Sequence, residues 1–243
     1  ADSRAAESVV GEKHRIAALA RIREVVFGAQ DGLISTVALI SSVYGAGAEN
    51  DLVIIVGLAG AVAGMISMAA GSYLSSKAQR EVYETEIGRK ALKLEQDPTQ
   101  EMGELVELYR REGLSSSDAT SLAERVAANK KLWLNTMIEK ELGLSPELPG
   151  SPVKDALTMG GSFALAALVP ILPYFFLDGG GALSTSISAT AVALFGLGVG
   201  KSRLTRRHAV RAGIEVLLIG TGAALLGYLL GTALPQFLGA TAA

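Results

Sequence analysis

Five apolar blocks, each long enough to cross a bilayer, constrain this chain more than any other feature of its sequence. They cover roughly 25–44, 52–75, 155–177, 182–200 and 212–234, and about 20 residues rising about 1.5 Å each cross a hydrocarbon core of ~30 Å. Backbone surrounded by lipid must satisfy its own hydrogen bonds, so these blocks are predicted to be helices. The 243 residues are 49% hydrophobic with a mean hydropathy of +0.37, and the charged residues gather mainly between the second and third blocks. The expected fold is an all-α membrane protein, with five transmembrane helices and a cytoplasmic helical domain inserted between helices two and three. It divides into residues 1–75 (an N-terminal segment and transmembrane helices 1–2), 76–154 (the insert) and 155–243 (transmembrane helices 3–5).

Lysine and arginine set the orientation. Arg15, Arg21 and Arg23 precede the first block, Lys77 and Arg80 follow the second, and Lys201, Arg203, Arg206, Arg207 and Arg211 follow the fourth. The links 45–51 and 178–181 carry no Lys or Arg, only Glu49, Asp51 and Asp178. The positive-inside bias therefore places the N-terminus, the insert and the 201–211 loop in the cytoplasm, and the C-terminus on the far side. Residues 1–24 hold Glu7, Glu12, Lys13 and the arginines without an apolar core, and are not read as a signal peptide.

Asp31 lies inside the first apolar block. An aspartate at the centre of a membrane helix costs roughly 2.5–3.5 kcal/mol on insertion scales, and such residues commonly line an ion or substrate path. In steps of three and four, Glu24, Gly28, Asp31, Ser35, Ala38 and Ser42 form a small or polar stripe, while Val26, Phe27, Leu33, Ile34, Val37 and Leu39 lie opposite. The stripe is expected to face protein or water and the bulky side to face lipid. The second block carries Gly57, Gly60, Gly64, Met68 and Gly71 at helical spacing, a pattern that lets helices approach closely. Met68 on that stripe is expected to face another helix. A membrane methionine is more often packing, which is the reading for Met65. A thioether opposite a carboxylate instead suits a soft-to-borderline divalent metal better than Mg²⁺ or Ca²⁺.

The second block runs without a breaker into 76–96, predicting one long helix that leaves the membrane. Asp97-Pro98 ends it, and Thr99 opens a helix that Gly113 closes. Ser116 or Ser117 caps another around Ser121–Asn129, and Leu132–Leu142 forms a last one that stops at Gly143. Alternating charges on such helices are mostly solvated surface, yet Met137 and Glu141 repeat at i, i+4 the pairing of a thioether with a carboxylate. In the third block, Pro170 and Pro173 free backbone carbonyls and kink the helix. Ser184, Thr185, Ser186, Ser188 and Thr190 in the fourth suit helix–helix hydrogen bonds.

Several functions are excluded. With no cysteine, there is no disulfide, zinc ribbon, iron–sulfur cluster or thiol catalysis. His14 and His208 are the only histidines, too few for a His-rich metal or haem site. Gly200-Lys201-Ser202 looks like the end of a phosphate loop, but the loop's first glycine would fall on Phe195. The basic run at 201–211 reports topology, not nucleic-acid binding, and no catalytic constellation appears. The chain is not read as an enzyme.

The chain resembles the vacuolar iron transporter family, including its bacterial members, from about His14 to Leu230. The matching pieces are Gln30-Asp31-Gly32-Leu33, Gly64-Met65-Ile66-Ser67-Met68-Ala69, Trp133-Leu134, Glu141-Leu142-Gly143-Leu144 and Pro170-Ile171-Leu172-Pro173-Tyr174. The resemblance implies a five-helix homodimer in a lipid bilayer, with the pathway between protomers and proton-coupled export of Fe²⁺ or a similar divalent ion from the cytosol. It implies a membrane site of Asp31 and Met68, with Glu24 near the cytoplasmic entrance, and no permanently bound cofactor. It also implies a metal-capturing insert, for which Glu101, Glu104, Met137 and Glu141 match. Lys90 and Lys93 stand where two further glutamates are expected, and so are expected to point at that pocket. Two other readings are a manganese-selective transporter of the same fold and a non-transporting metal-sensing or storage scaffold. An Ala- and Gly-rich composition favours a bacterial inner membrane; in a eukaryote the vacuolar membrane is expected.

Overall fold

The computed structural model describes residues 2–145, 150–205 and 208–237. Arg206, Arg207 and the C-terminal end, on which the orientation partly rests, lie outside the described residues. Two compact units emerge, Ala1–Tyr73 with Pro152–Ala243, and Leu74–Ser151.

The first unit is a helical bundle. It comprises α1 (Asp2–Gly45), the first half of α2 (Asn50–Gln96), α6 (Pro152–Ile171) with a 3-10 turn at Leu172–Phe175, α7 (Gly179–Thr205) and α8 (Ala209–Phe237). Five of its helical stretches are long and apolar enough to span a membrane. In α1 that stretch is Ile22–Gly45.

The central element is α1, which packs against α6, α7 and α8. Glycines make this possible: a methyl group at Gly32 would strike the Phe163 carbonyl, and one at Gly231 would strike the Ser42 carbonyl. The expectation that α1 turns its bulk to lipid is corrected here. Leu33 and Val37 are only 3% and 1% exposed, and Leu33 shares a core cluster with Leu194 and Val216. Three neighbouring helices surround that side of α1, so its large residues fill the bundle. Only Phe27 and Leu39 of the bulky set remain on the surface. The stripe carrying Asp31 and Ser35 is left at the bundle's edge.

The membrane half of α2 is the least buried of the five spans. Its Gly60 and Gly64 lie beneath Leu39 of α1 and Phe163 of α6. Ile55, Val62 and Ile66 face outwards. At the end of α6, Pro170 and Pro173 cannot donate, and the last turn tightens into the 3-10 form. Side chains take up the carbonyls of this region: Ser186 donates to Pro170 O at 2.6 Å, and Asn50 donates to Leu177 O at 2.7 Å.

The second unit holds the rest of α2 with α3 (Pro98–Arg111), α4 (Ser116–Ala127) and α5 (Lys130–Lys140). The helix starts are capped by Asp97, Ser115 and Asn129, which accept from Gln100 N, Asp118 N and Leu132 N. Thus α4 begins earlier than the sequence suggested, on Ser115 instead of Ser116 or Ser117. Gly113 and Gly143, at φ +99° and +63°, supply the left-handed turns that follow α3 and α5. The core gathers Leu105, Tyr109, Ala119, Ala123, Trp133 and Met137.

Candidate metal sites

The edge of α1 borders a cavity of about 230 Å³ lined by Asp31, Ser35, Gly60, Gly64, Ser67 and Met68, among others. The helical repeat of α1 places Asp31 and Ser35 on this side, and Gly60 and Gly64 of α2 line it opposite, where Leu39 and Phe163 take up the room that glycine leaves. Asp31 is half-buried, and its carboxylate has no ion-pair partner among the described residues. The Ser35 hydroxyl donates to the Asp31 backbone oxygen at 2.6 Å, which commits its proton to the helix. The cavity therefore offers a carboxylate from α1 and a thioether from α2, one hard and one soft ligand. Met68 also touches the cluster of Ala61, Phe163, Ala167 and Ile171, as does Met65.

Two polar lining residues, and the apolar Phe163 of α6, were missed by sequence reasoning. Thr36, almost wholly buried, lies beside the predicted stripe, and Ser67 immediately precedes Met68. Thr36 falls outside the three-and-four spacing of its stripe, whereas Ser67 fits that of its own, three from Gly64 and four from Gly71, and was passed over in favour of Met68. Glu24 does not line the cavity. Its carboxylate lies 3.2 Å from Arg23.

In the insert, Glu101, Glu104 and Glu141 come together, each offering an oxygen within 4.8 Å of the others. The position among them is filled by Lys90. Its Nζ pairs with Oε2 of Glu101 and of Glu141, and lies 3.3 Å from Oε2 of Glu104. Burial opposes the Lys90 charge, but the hydrogen bonds and charges of Glu101 and Glu141 outweigh it and hold its pKa above the ordinary 10.5. Glu104 titrates below its ordinary 4.5, chiefly through the hydrogen bond from Gln100 and with help from Lys90. Of the two lysines expected to point at this pocket, only Lys90 does so. Lys93 is exposed and makes no ion pair among the described residues, although its charge adds to the lowering of Glu104. Met137 is fully buried in the insert's apolar core with Trp133 and Leu105.

A bundle of five apolar helices with an acid-and-thioether cavity defines an integral membrane protein equipped for cations. Comparison with known proteins makes the class specific: the VIT family model matches residues 22–232, and the chain belongs to this family. Among its relatives, vacuolar iron transporter 1 of Oryza sativa subsp. japonica is 33% identical, over 85% of this chain and 82% of that protein. Vacuolar iron transporter 1 of Tulipa gesneriana is 32% identical over 89% of this chain and 88% of its own length. The vacuolar iron transporter of Plasmodium falciparum is 30% identical over 92% and 85%. The chain is thus a metal-ion transporter of the membrane and not an enzyme.

Proposed function

We propose that this protein moves Fe²⁺, or a similar divalent transition-metal ion, out of the cytosol in exchange for protons. The observation that carries the reading is the cavity uniting Asp31 with Met68. The named substrate of the relatives supports iron.

A carboxylate must lose its proton to bind metal, so metal and proton compete for Asp31, the minimum that exchange requires. One carboxylate leaves a divalent ion half neutralised in a low-dielectric setting, where uncompensated charge is costly. A second protomer bringing its own Asp31 and Met68 across the open side of the cavity would complete the neutralisation. The little-covered apolar face of α2 suits such a homodimer. In this arrangement Glu24 stands towards the cytoplasmic end of the membrane-spanning stretch of α1, and the insert lies in the cytoplasm with its carboxylate pocket. The membrane is a bacterial cell membrane or a vacuolar membrane.

The test is metal uptake into proteoliposomes with an acidic lumen, comparing Fe²⁺, Mn²⁺, Co²⁺ and Zn²⁺. Uptake that collapses with a protonophore and alkalinises the lumen is the expected result. Mn²⁺ moving in clear preference to Fe²⁺ selects the manganese reading. Uptake of every ion independent of the pH gradient removes proton coupling, and no uptake of any ion leaves the scaffold.

A further inference from the structure

Lys90 and Glu101 are the most deeply buried charges described in the insert, 3% and 2% exposed. Burying an ion costs several kcal/mol unless it is well paired, so a lysine in this position is built into the fold. Its three partners arrive from two other elements. Glu101 and Glu104 come from α3, Glu141 from the end of α5, and Lys90 itself from α2.

Oxygens from three carboxylates converging on one point are what a small divalent cation requires. Here that point holds Nζ. An ammonium is compact, carries its charge at one atom and presents three donors, which matches three carboxylates. Without it, three carboxylates with oxygens within 4.8 Å of one another would repel.

We propose that Lys90 is a tethered cation that takes the place of a divalent metal in the insert, fastening α2 to α3 and α5. The insert then keeps its fold without metal, and its carboxylates take up no metal while Lys90 is seated. In this protein the insert is a strut, not a metal store. The proposal refines the insert's part in the function above and does not require Asp31 to transport anything.

The test uses Trp133, the only tryptophan of the chain and a member of the insert's core. Its fluorescence follows unfolding of the insert within the full-length protein in nanodiscs. Wild type, Lys90→Gln and Lys90→Arg are melted in EDTA and in Mn²⁺, all in an Asp31→Asn background so that metal in the membrane cavity does not contribute. The expected midpoints of wild type and Lys90→Arg are the same in both conditions. Lys90→Gln melts several degrees lower in EDTA and recovers most of the loss in Mn²⁺. Electron paramagnetic resonance counts the bound Mn²⁺, expected to be absent from the wild-type insert and present in Lys90→Gln. A wild-type midpoint that rises in Mn²⁺ overturns the proposal even if Lys90→Gln does not fold. A folded Lys90→Gln that ignores Mn²⁺ overturns it as well.

Discussion

Asp31 and Lys90 are opposite solutions to the same difficulty, a charge held away from water. Asp31 borders a cavity with no counter-charge among the described residues, which leaves it ready for a mobile cation. Lys90 is enclosed by three carboxylates. A pH dependence follows for the insert. Burial, with the Glu112 charge nearby, holds the Tyr109 hydroxyl above its ordinary 10.0 against the opposing effect of Lys140, and Lys90 is held above 10.5. Both raised groups bind more protons folded than unfolded in that range, so their contribution is full below pH 10 and falls as pH rises through the folded values. Trp133 fluorescence melts should therefore lose stability above about pH 10. They should also lose it below pH 4.5, where the depressed Glu104 takes up its proton. Of these residues, Asp31 was legible because a carboxylate in an apolar run is conspicuous. The burial of Lys90 was not legible from local pattern, because a lysine among alternating charges reads as solvated surface. The family resemblance, not the local pattern, is what aimed it at the pocket of Glu101, Glu104 and Glu141, with which it pairs.

At the scale of elements, several helix ends were legible from local signals, but α5 starts on its Asn129 cap and spans Lys130–Lys140 where Leu132–Leu142 was expected. Asp97-Pro98, Gly113 and Gly143 each act where they were expected. The start of α4 was misjudged because the run Ser-Ser-Asp-Ala-Thr has no large apolar residue. Yet Ala119 and Ala123, four apart, are completely buried, so alanines serve there as core. The end of α6 makes a sharper prediction. The Ser186 hydroxyl, buried on α7, donates to Pro170 O at 2.6 Å, where the prolines have interrupted the helical ladder. Ser186→Ala leaves that buried carbonyl without its side-chain donor and should cost about 1–3 kcal/mol. The check is a lowered melting midpoint of the purified protein in detergent, with Ser184→Ala as an exposed control that leaves it unchanged.

For the whole molecule, the number of spans could be read from hydropathy, but the arrangement around α1 could not. One amphipathic span does not reveal how many neighbours will enclose it. Here α6, α7 and α8 take the bulky side, which sequence alone had assigned to lipid. Orientation is a separate matter, resting on the contrast between the links 178–181 and 201–211. Because the chain has no cysteine, single cysteines can test it. On intact cells an impermeant thiol reagent should label Gly181→Cys and spare His208→Cys, both at exposed positions. The reverse pattern would invert the topology and with it the direction of export.

The most direct measurement is the effect of Asp31→Asn on metal flux driven by a pH gradient in proteoliposomes. The amide keeps the size of the side chain but neither carries charge nor exchanges a proton. Flux of Fe²⁺ should fall to the level of empty liposomes, while the protein keeps its elution volume and its Trp133 melting curve. Met68→Ala, which removes only the soft ligand, should retain part of the flux and favour harder ions such as Mn²⁺. Undiminished, gradient-driven Fe²⁺ flux through Asp31→Asn would contradict the account, because the carboxylate in the cavity would then carry neither the metal nor the proton.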